Sequence, residues 1–364
     1  MNLLLDIALL ALLLATAVSI AWIKDLFAAA MLAGIYGLLS AGFFMTMGAV
    51  DVAFTEAAVG AGISPLLILL TLALCGRYQR ADRNRARLAI ALVVTVGALL
   101  VTATEDMPAF GDIHAPAQVH VAPHYIQESM DEIGIPNIVT SVLASYRGFD
   151  TFGEVVVIFT AGLGVLSLLM THTSQPLRIM EPSPVQQASR DIVLRVVAKV
   201  LIAPIMLYAL YVQFHGEYGP GGGFQAGVIF AVGFILYSMV FGLDAVRKVA
   251  SHGLVQLLSA VGVLVFGGTG LLSFVSGKNF LDYSALAGDS VTGQHIGIIA
   301  IELGVGITVA SVMIMISYLF SAQLRDREAA LSIKGSPSLT DNPPAGDSSS
   351  GLSPLQPLQQ GAGS

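Results

Sequence analysis

Thiols are nearly absent from this chain of 364 residues, which holds a single cysteine, Cys75. One cysteine cannot close an intrachain disulfide, nor can it supply the ligands of a cysteine-held cluster. Charge is scarce too. Only 11% of residues are charged, against 55% hydrophobic and a mean hydropathy of +0.78; soluble domains carry about 25% charged residues. So few charges cannot cover a soluble surface, and the bilayer is the main solvent. No basic stripe is present and the formal net charge is −7, which argues against a nucleic-acid partner. No Lys or Arg precedes the first apolar run, which opens Met1-Asn2-Leu3. Without the basic n-region of a cleaved signal peptide, that run reads as the first spanning helix. There is no nucleophile with a paired base and no nucleotide fingerprint. The expectation is a transporter component rather than an enzyme, with no cofactor and no metal site.

What is present is long apolar runs. About 20 apolar residues cross a bilayer, and on that rule spans fall at 3–23, 26–48, 52–74, 88–104, 151–171, 192–213, 223–243, 254–276 and 296–320. The predicted fold is all-α, a polytopic bundle of about nine transmembrane helices. Charges orient it. Arg77, Arg80, Arg83, Arg85 and Arg87 lie between the third and fourth spans, and Arg178, Arg190, Arg195 and Lys199 surround the fifth-to-sixth connection. Arg247 and Lys248 follow the seventh span, and Arg325 and Arg327 the ninth. With nine spans all of these fall on one side, and positive loops stay cytoplasmic. The N-terminus is therefore expected outside, the C-terminus cytoplasmic, in a multi-pass protein of the cell (inner) membrane. Residues 1–80 form a three-helix unit. Residues 88–172 form two helices around a long outer loop with a short helix near 136–146. After a linker at 174–189, residues 190–325 form a four-helix unit. A tail over 328–364, rich in Ser, Pro, Gly and Gln, is expected to be disordered.

Ionisable residues inside spanning helices are costly and default to functional candidates. Glu56, Glu154 and Glu302 qualify, each roughly 5–10 Å inside an outward helix end at about 1.5 Å rise per residue. Each either exchanges a proton or a cation, or pairs with a neighbouring subunit or caps a helix. A carboxylate holds a hard cation only with further oxygens; Asp51, Thr55, Ser64 and Thr160 are the candidate donors. Gly60, Gly62 and Pro65 follow Glu56 in the same span. Pro65 lacks a backbone donor and clashes with the carbonyl of Ala61, so that helix is expected to be broken, as at transporter ion sites, or kinked for packing. Glu217-Tyr218-Gly219-Pro220-Gly221-Gly222-Gly223-Phe224-Gln225-Ala226-Gly227 is not a phosphate loop, since no Gly-Lys-Ser/Thr follows. Pro220, Gly221 and Gly222 make a tight outer turn, and Gly223 and Gly227 give the next helix a small face for packing. His114, His120 and His124 match no usual metal spacing and read as a solvated loop. His295, seven residues before Glu302, shares its helix face; it is either a proton relay or an interfacial residue. Lys24 and Asp25 read as a turn pair.

Three strings carry a family resemblance. Residues 30–74, with Asp51-Val52-Ala53-Phe54-Thr55-Glu56-Ala57-Ala58-Val59-Gly60-Ala61-Gly62, resemble the C-terminal part of the large A subunit of Mrp-type multisubunit cation/proton antiporters. That part is also a separate small subunit in membrane-bound hydrogenases. Residues 146–166, with Tyr146-Arg147-Gly148-Phe149-Asp150-Thr151-Phe152-Gly153-Glu154, resemble the module that follows it. Residues 191–320, with Pro220-Gly221-Gly222-Gly223-Phe224 and Ile301-Glu302-Leu303-Gly304-Val305-Gly306, resemble the B subunit. The resemblance implies a fusion of these modules and exchange of Na⁺, or another monovalent cation, for H⁺ (Na⁺ out, H⁺ in) within a hetero-oligomer of antiporter subunits in the lipid bilayer. It also implies kinship with the membrane arm of respiratory complex I. Family carboxylates of the ion route carry over onto Glu56 and Glu154. The large antiporter-like subunits carry lysines within spanning helices, and this chain has none mid-membrane. It is expected to be an accessory subunit that does not transport alone. A membrane arm of a hydrogenase or complex I-like redox pump, and a purely structural subunit, remain alternatives.

Overall fold

The computed structural model describes residues 3–79, 83–109, 111–170 and 192–335. The linker expected at 174–189, and the tail beyond 335, lie outside these residues. The described residues are helical, with no strand among them beyond one isolated bridge between Asp25 and Tyr78. In order they form α1 (Leu3–Trp22), α2 (Leu26–Thr46), α3 (Val50–Leu74) and α4 (Arg83–Thr104). Three short outer helices follow: α5 (Pro116–Val119), α6 (Val121–Glu132) and α7 (Ile138–Thr140), the last running into a π-helical turn over Ser141–Tyr146. Then come α8 (Gly148–Met170), α9 (Ile192–His215), α10 (Gly223–Phe241), the short α11 (Leu243–Val249) and α12 (His252–Val275). A 3-10 turn at Tyr283–Leu286 leads into α13 (Ser290–Gly335).

Nine of these helices among the described residues are long and apolar enough to cross a membrane: α1 to α4, α8, α9, α10, α12 and α13. Their ends agree with the hydropathy reading to within a few residues except at α13. That helix begins at Ser290 and runs to Gly335, past the expected start of the tail. The outer loop is also more ordered than expected. His124 belongs to helix α6 rather than to a loop, and it is exposed to solvent as expected, 3.3 Å from Glu132 and edge-on to the Tyr146 ring. Tyr146 donates to Glu132, and burial together with that bond pushes its hydroxyl above the usual range.

The core forms around α13, which packs against α8, α10 and α12. Small residues bring the axes together. A Cβ on Gly262 of α12 would lie 2.5 Å from the Gly304 carbonyl, and one on Gly304 would lie 2.7 Å from the Gly262 carbonyl. A Cβ on Gly227 would lie 2.8 Å from the Gly306 carbonyl, and one on Gly223 2.8 Å from Val305 Cβ. Phe266, Tyr283, Ile298, Ile301 and Met315 are fully enclosed in this unit.

α3 is not one regular helix. It is α-helical over Val50–Glu56, π-helical over Ala57–Ile63, and α-helical again from Ser64. The wide π turn lies directly before Pro65, where a regular helix would place a carbonyl against the proline ring. Pro65 is buried against α2, with a Gly34 Cβ position 2.8 Å from its Cγ.

The ends of the bundle differ in charge. At one end Asp25 pairs with Arg77 at 2.6 Å, which corrects the expected Lys24–Asp25 turn pair. There Arg325 also meets Asp244 at 3.0 Å, and the Arg327 guanidinium donates to the Leu74 carbonyl at 2.6 Å. At the other end lie the α2–α3 turn, the outer helices, the 216–222 turn and the start of α13.

Candidate functional site

At this second end, α3, the turn between α9 and α10, and α13 converge. The turn is set by its glycines. Gly222 has φ +109, a region that side chains rarely adopt, and its N–H donates to the Val212 carbonyl at 3.1 Å. A Cβ on Gly221 would lie 2.6 Å from that same carbonyl. The loop therefore folds back over the end of α9. Asn137, at the start of α7, fastens it. Its Nδ2 donates to the Gly216 and Gly219 carbonyls at 3.0 and 3.1 Å, and its backbone N–H donates to the Glu217 carbonyl at 3.0 Å. Thr140 Oγ1 adds a bond to Gly216 O at 2.7 Å.

Three carboxylates meet on this folded turn. Asp51, in the first turn of α3, accepts from the Gly221 N–H at 3.3 Å. Glu302, from α13, points at the turn from the opposite side: Cβ positions on Gly216 and Gly222 would lie 3.2 and 3.3 Å from its two carboxylate oxygens. Glu217 belongs to the turn itself. It is 8% exposed, with both carboxylate oxygens 3.3 Å from His295 Nδ1. The charges felt by Glu302 are those of Glu217 and Asp51, both negative. One turn along α3, Thr55 Oγ1 accepts from Gln225 Nε2 at 2.7 Å. A narrow recess of ≈ 40 Å³ lies between Gln213, Phe214, Glu217, Ile299 and Glu302. No group of three His, Cys, Asp or Glu side chains among the described residues is arranged to hold a metal ion.

Of the four carboxylates singled out in the sequence, the structure brings Asp51 and Glu302 together. Glu56 lies next to this seam but folds back on its own helix, its carboxylate filling the space that Gly60 leaves empty. Gly62 is exposed on the same π turn. Glu154 is on an exposed face of α8, with Asp150 and Arg147 as the charges it senses, and shares no contact with the seam. Pro220 is exposed at the turn, and Gly223 and Gly227 lie against α13. His295 faces Glu217, not Glu302 as a shared helix face suggests, because the 216–222 turn comes between them. Sequence reasoning missed Glu217, Gln213 and Asn137. The only signal for Glu217 was its place at the head of the glycine string.

Comparison with known proteins places these elements in three modules. Family models match residues 11–77 (MbhD, the D subunit of MBH), 83–187 (MbhE, the E subunit of MBH) and 193–315 (MnhB, a domain related to the MnhB subunit of Na⁺/H⁺ antiporter). A probable K⁺/H⁺ antiporter A/B subunit of Rhizobium meliloti (strain 1021) is 28% identical over 330 residues, covering 80% of this chain and 32% of that protein. A putative antiporter subunit mnhB2 of Staphylococcus aureus (strain Newman) is 33% identical over 129 residues, 35% of this chain and 91% of that protein. A chain in the solved Mrp complex from Dietzia sp. DQ12-45-1b superposes with a TM-score of 0.70 at 26% identity, over 86% of this chain and 34% of the other. The chain thus spans about a third of the length of the Rhizobium protein and of the solved Mrp chain. The carboxylate seam joins α3, in the first matched region, to the turn and α13, in the third.

Proposed function

Because the chain belongs to the family of Mrp-type antiporter subunits, joining MBH-like and MnhB-like modules, we propose that it is an accessory membrane subunit of a multisubunit monovalent cation/proton antiporter. In this reading Asp51, Glu56, Glu154 and Glu302 lie on the ion route. The observation that carries it is the seam, where carboxylates from regions matching different subunits face one glycine turn at one end of the bundle. Intramembrane carboxylates without basic partners recur on proton and cation pathways. Glu154 lies on a face this chain does not itself cover and Glu56 is half-buried on α3; in this reading neighbouring subunits continue the route from them.

The basic end faces the cytoplasm in this proposal, since Arg77, Arg247, Lys248, Arg325 and Arg327 gather there. The seam then opens outward, and exchange runs with the cation leaving and protons entering across the cell membrane. Cys75 tests the orientation, being exposed at the basic end and the only cysteine in the chain. A membrane-impermeant maleimide should label it in everted vesicles and not in right-side-out ones; the reverse pattern inverts the topology. The function is tested by Na⁺- and K⁺-induced proton movement in everted vesicles holding the intact complex, with Glu56→Ala and Glu154→Ala alongside. Exchange that falls to background while the complex stays assembled puts these carboxylates on the route. Full exchange in both variants leaves them a scaffold role.

The matches to MbhD and MbhE favour a second reading, the membrane arm of a redox complex. Iron–sulfur subunits co-purifying with the chain would select it.

A further inference from the structure

We propose that the recess between α9 and α13 is a binding site for one partly dehydrated monovalent cation, held by Glu302, Glu217 and the side-chain amide oxygen of Gln213. This deepens the antiporter reading and rests on it for physiological meaning, but it stands on its own geometry. The independent observation is Gln213. Its side chain is 8% exposed and makes no hydrogen bond among the described residues, yet it lines the recess with both glutamates. Its amide atoms are not sealed off, so an oxygen and a nitrogen that bond no protein group remain free to meet a ligand or water in the recess. That oxygen reaches α13 beside Gly306, one helical turn beyond Glu302. A side chain at Gly306 would occupy the same space, so the glycine clears room for the amide.

The chemistry of the donors selects the ligand. Two carboxylates and an amide oxygen are hard donors suited to Na⁺ or K⁺. The recess of ≈ 40 Å³ holds more than the 10–15 Å³ or so that one water centre needs, enough for an ion that keeps one or two waters. Net charge favours a cation. The titratable groups around Glu302 are Asp51 from α3 and Glu217 from the α9–α10 turn, with His295 from α13 beside Glu217. No described Lys or Arg lines the recess. The Gly221 N–H on Asp51 is neutral and leaves that charge in place, and a protonated His295 would offset one carboxylate at most. The uncompensated negative charge is met at Glu302 by a small cation or by a proton. Binding and proton release are then one exchange. The cation enters, the O–H bond of the Glu302 carboxylic acid breaks, its electrons stay on the carboxylate, and the proton leaves to water.

Direct binding of ²²Na⁺ and ⁸⁶Rb⁺, the latter standing for K⁺, to the purified intact complex tests the site. Wild type should bind one of them saturably and release protons on its addition in weak buffer. Glu302→Gln should abolish both signals. Gln213→Leu should weaken the dissociation constant by about tenfold, the loss of one oxygen worth about 1.4 kcal/mol. Gln213→Met, unbranched and close in volume, is measured beside it so that a packing defect in either variant is visible. Wild-type binding in assembled Glu302→Gln and Gln213→Met complexes overturns the site, even if cation-driven proton movement survives. Glu302-dependent binding in a complex that moves no protons retains the site and removes the exchange reading instead.

Discussion

α4 and α13 have the same mean hydropathy over their most apolar windows, 2.2, yet 67% of the α13 window is buried inside the chain and none of the α4 window is. Hydrophobicity put both helices in the membrane and decided nothing about what they touch there. In lipid, apolar side chains gain little by leaving one hydrocarbon for another, so association follows close backbone approach and polar contacts. α13 has both, with Gly304 against Gly262, Gly306 against Gly227, and Glu302 at the seam. α4 presents Leu88, Leu92, Val93, Leu99 and Leu100 outward, and a Cβ on its Gly97 would meet nothing within 4 Å.

The sharpest break of this contrast is Gly223→Val. The new Cβ would lie 2.8 Å from Val305 Cβ and 3.0 Å from the Gly306 nitrogen, both on α13. Overpacking of this kind costs about 1–3 kcal/mol, and here it also displaces the backbone next to Glu302. Thermal unfolding of the complex in detergent should shift down by several degrees, with cation exchange lost before assembly. Gly97→Leu is its counterpart on α4. A surface change of this sort stays within about 0.5 kcal/mol, so unfolding should be unchanged. A complex that dissociates would show that another subunit, not lipid, covers α4.

A smaller effect is expected from Asn137→Ala, which removes two side-chain donations to the 216–219 turn. Thr140 still donates to the Gly216 carbonyl, so the Gly219 carbonyl is the one that loses its side-chain donor, at a cost of about 1 kcal/mol. The loss should appear as faster hydrogen exchange over residues 216–222 while the α12–α13 contact stays protected. Uniform loosening of both regions would mean that the seam and the glycine-packed core are one cooperative unit.

What the sequence revealed follows the same division. Nine spans were legible because hydropathy is local, and Pro65 announced an irregular α3, though not that the irregularity would be a π turn. Asp51 and Glu302 stood out as carboxylates within apolar runs. Glu217 did not, because it belongs to a glycine-rich turn and is buried only when Asn137, distant in sequence, closes that turn over α9. Gln213 is uncharged and sits mid-pattern in α9; its lack of a partner exists only in three dimensions. The α5–α6 segment was hidden by weak periodicity and by its polar composition.

The peripheral helices have no run of close glycine contacts to α13 and are fastened at their ends, which the last prediction probes. Asp25 caps α2 by accepting from the Phe27 N–H at 3.0 Å and pairs with Arg77 at 2.6 Å. Across the same turn Leu26 N–H donates to the Arg77 carbonyl and Gln79 N–H to the Lys24 carbonyl. The Arg77 guanidinium, with the backbone N–H groups of Phe27 and Ala28, holds the Asp25 carboxyl below the usual carboxylate range. A depressed folded-state value stabilises above the unfolded value of about 3.9, and the contribution is lost as pH falls through the folded one. Asn is an equally good N-cap, so Asp25→Asn removes the charge and keeps the cap. The variant should melt slightly below wild type from neutral pH down to about 5, and the two curves should merge once pH has fallen through the folded-state value. The pair is exposed, so the gap should be small and should shrink in high salt. A gap that persists at low pH would show that the cap geometry, rather than the ion pair, fastens the first three helices.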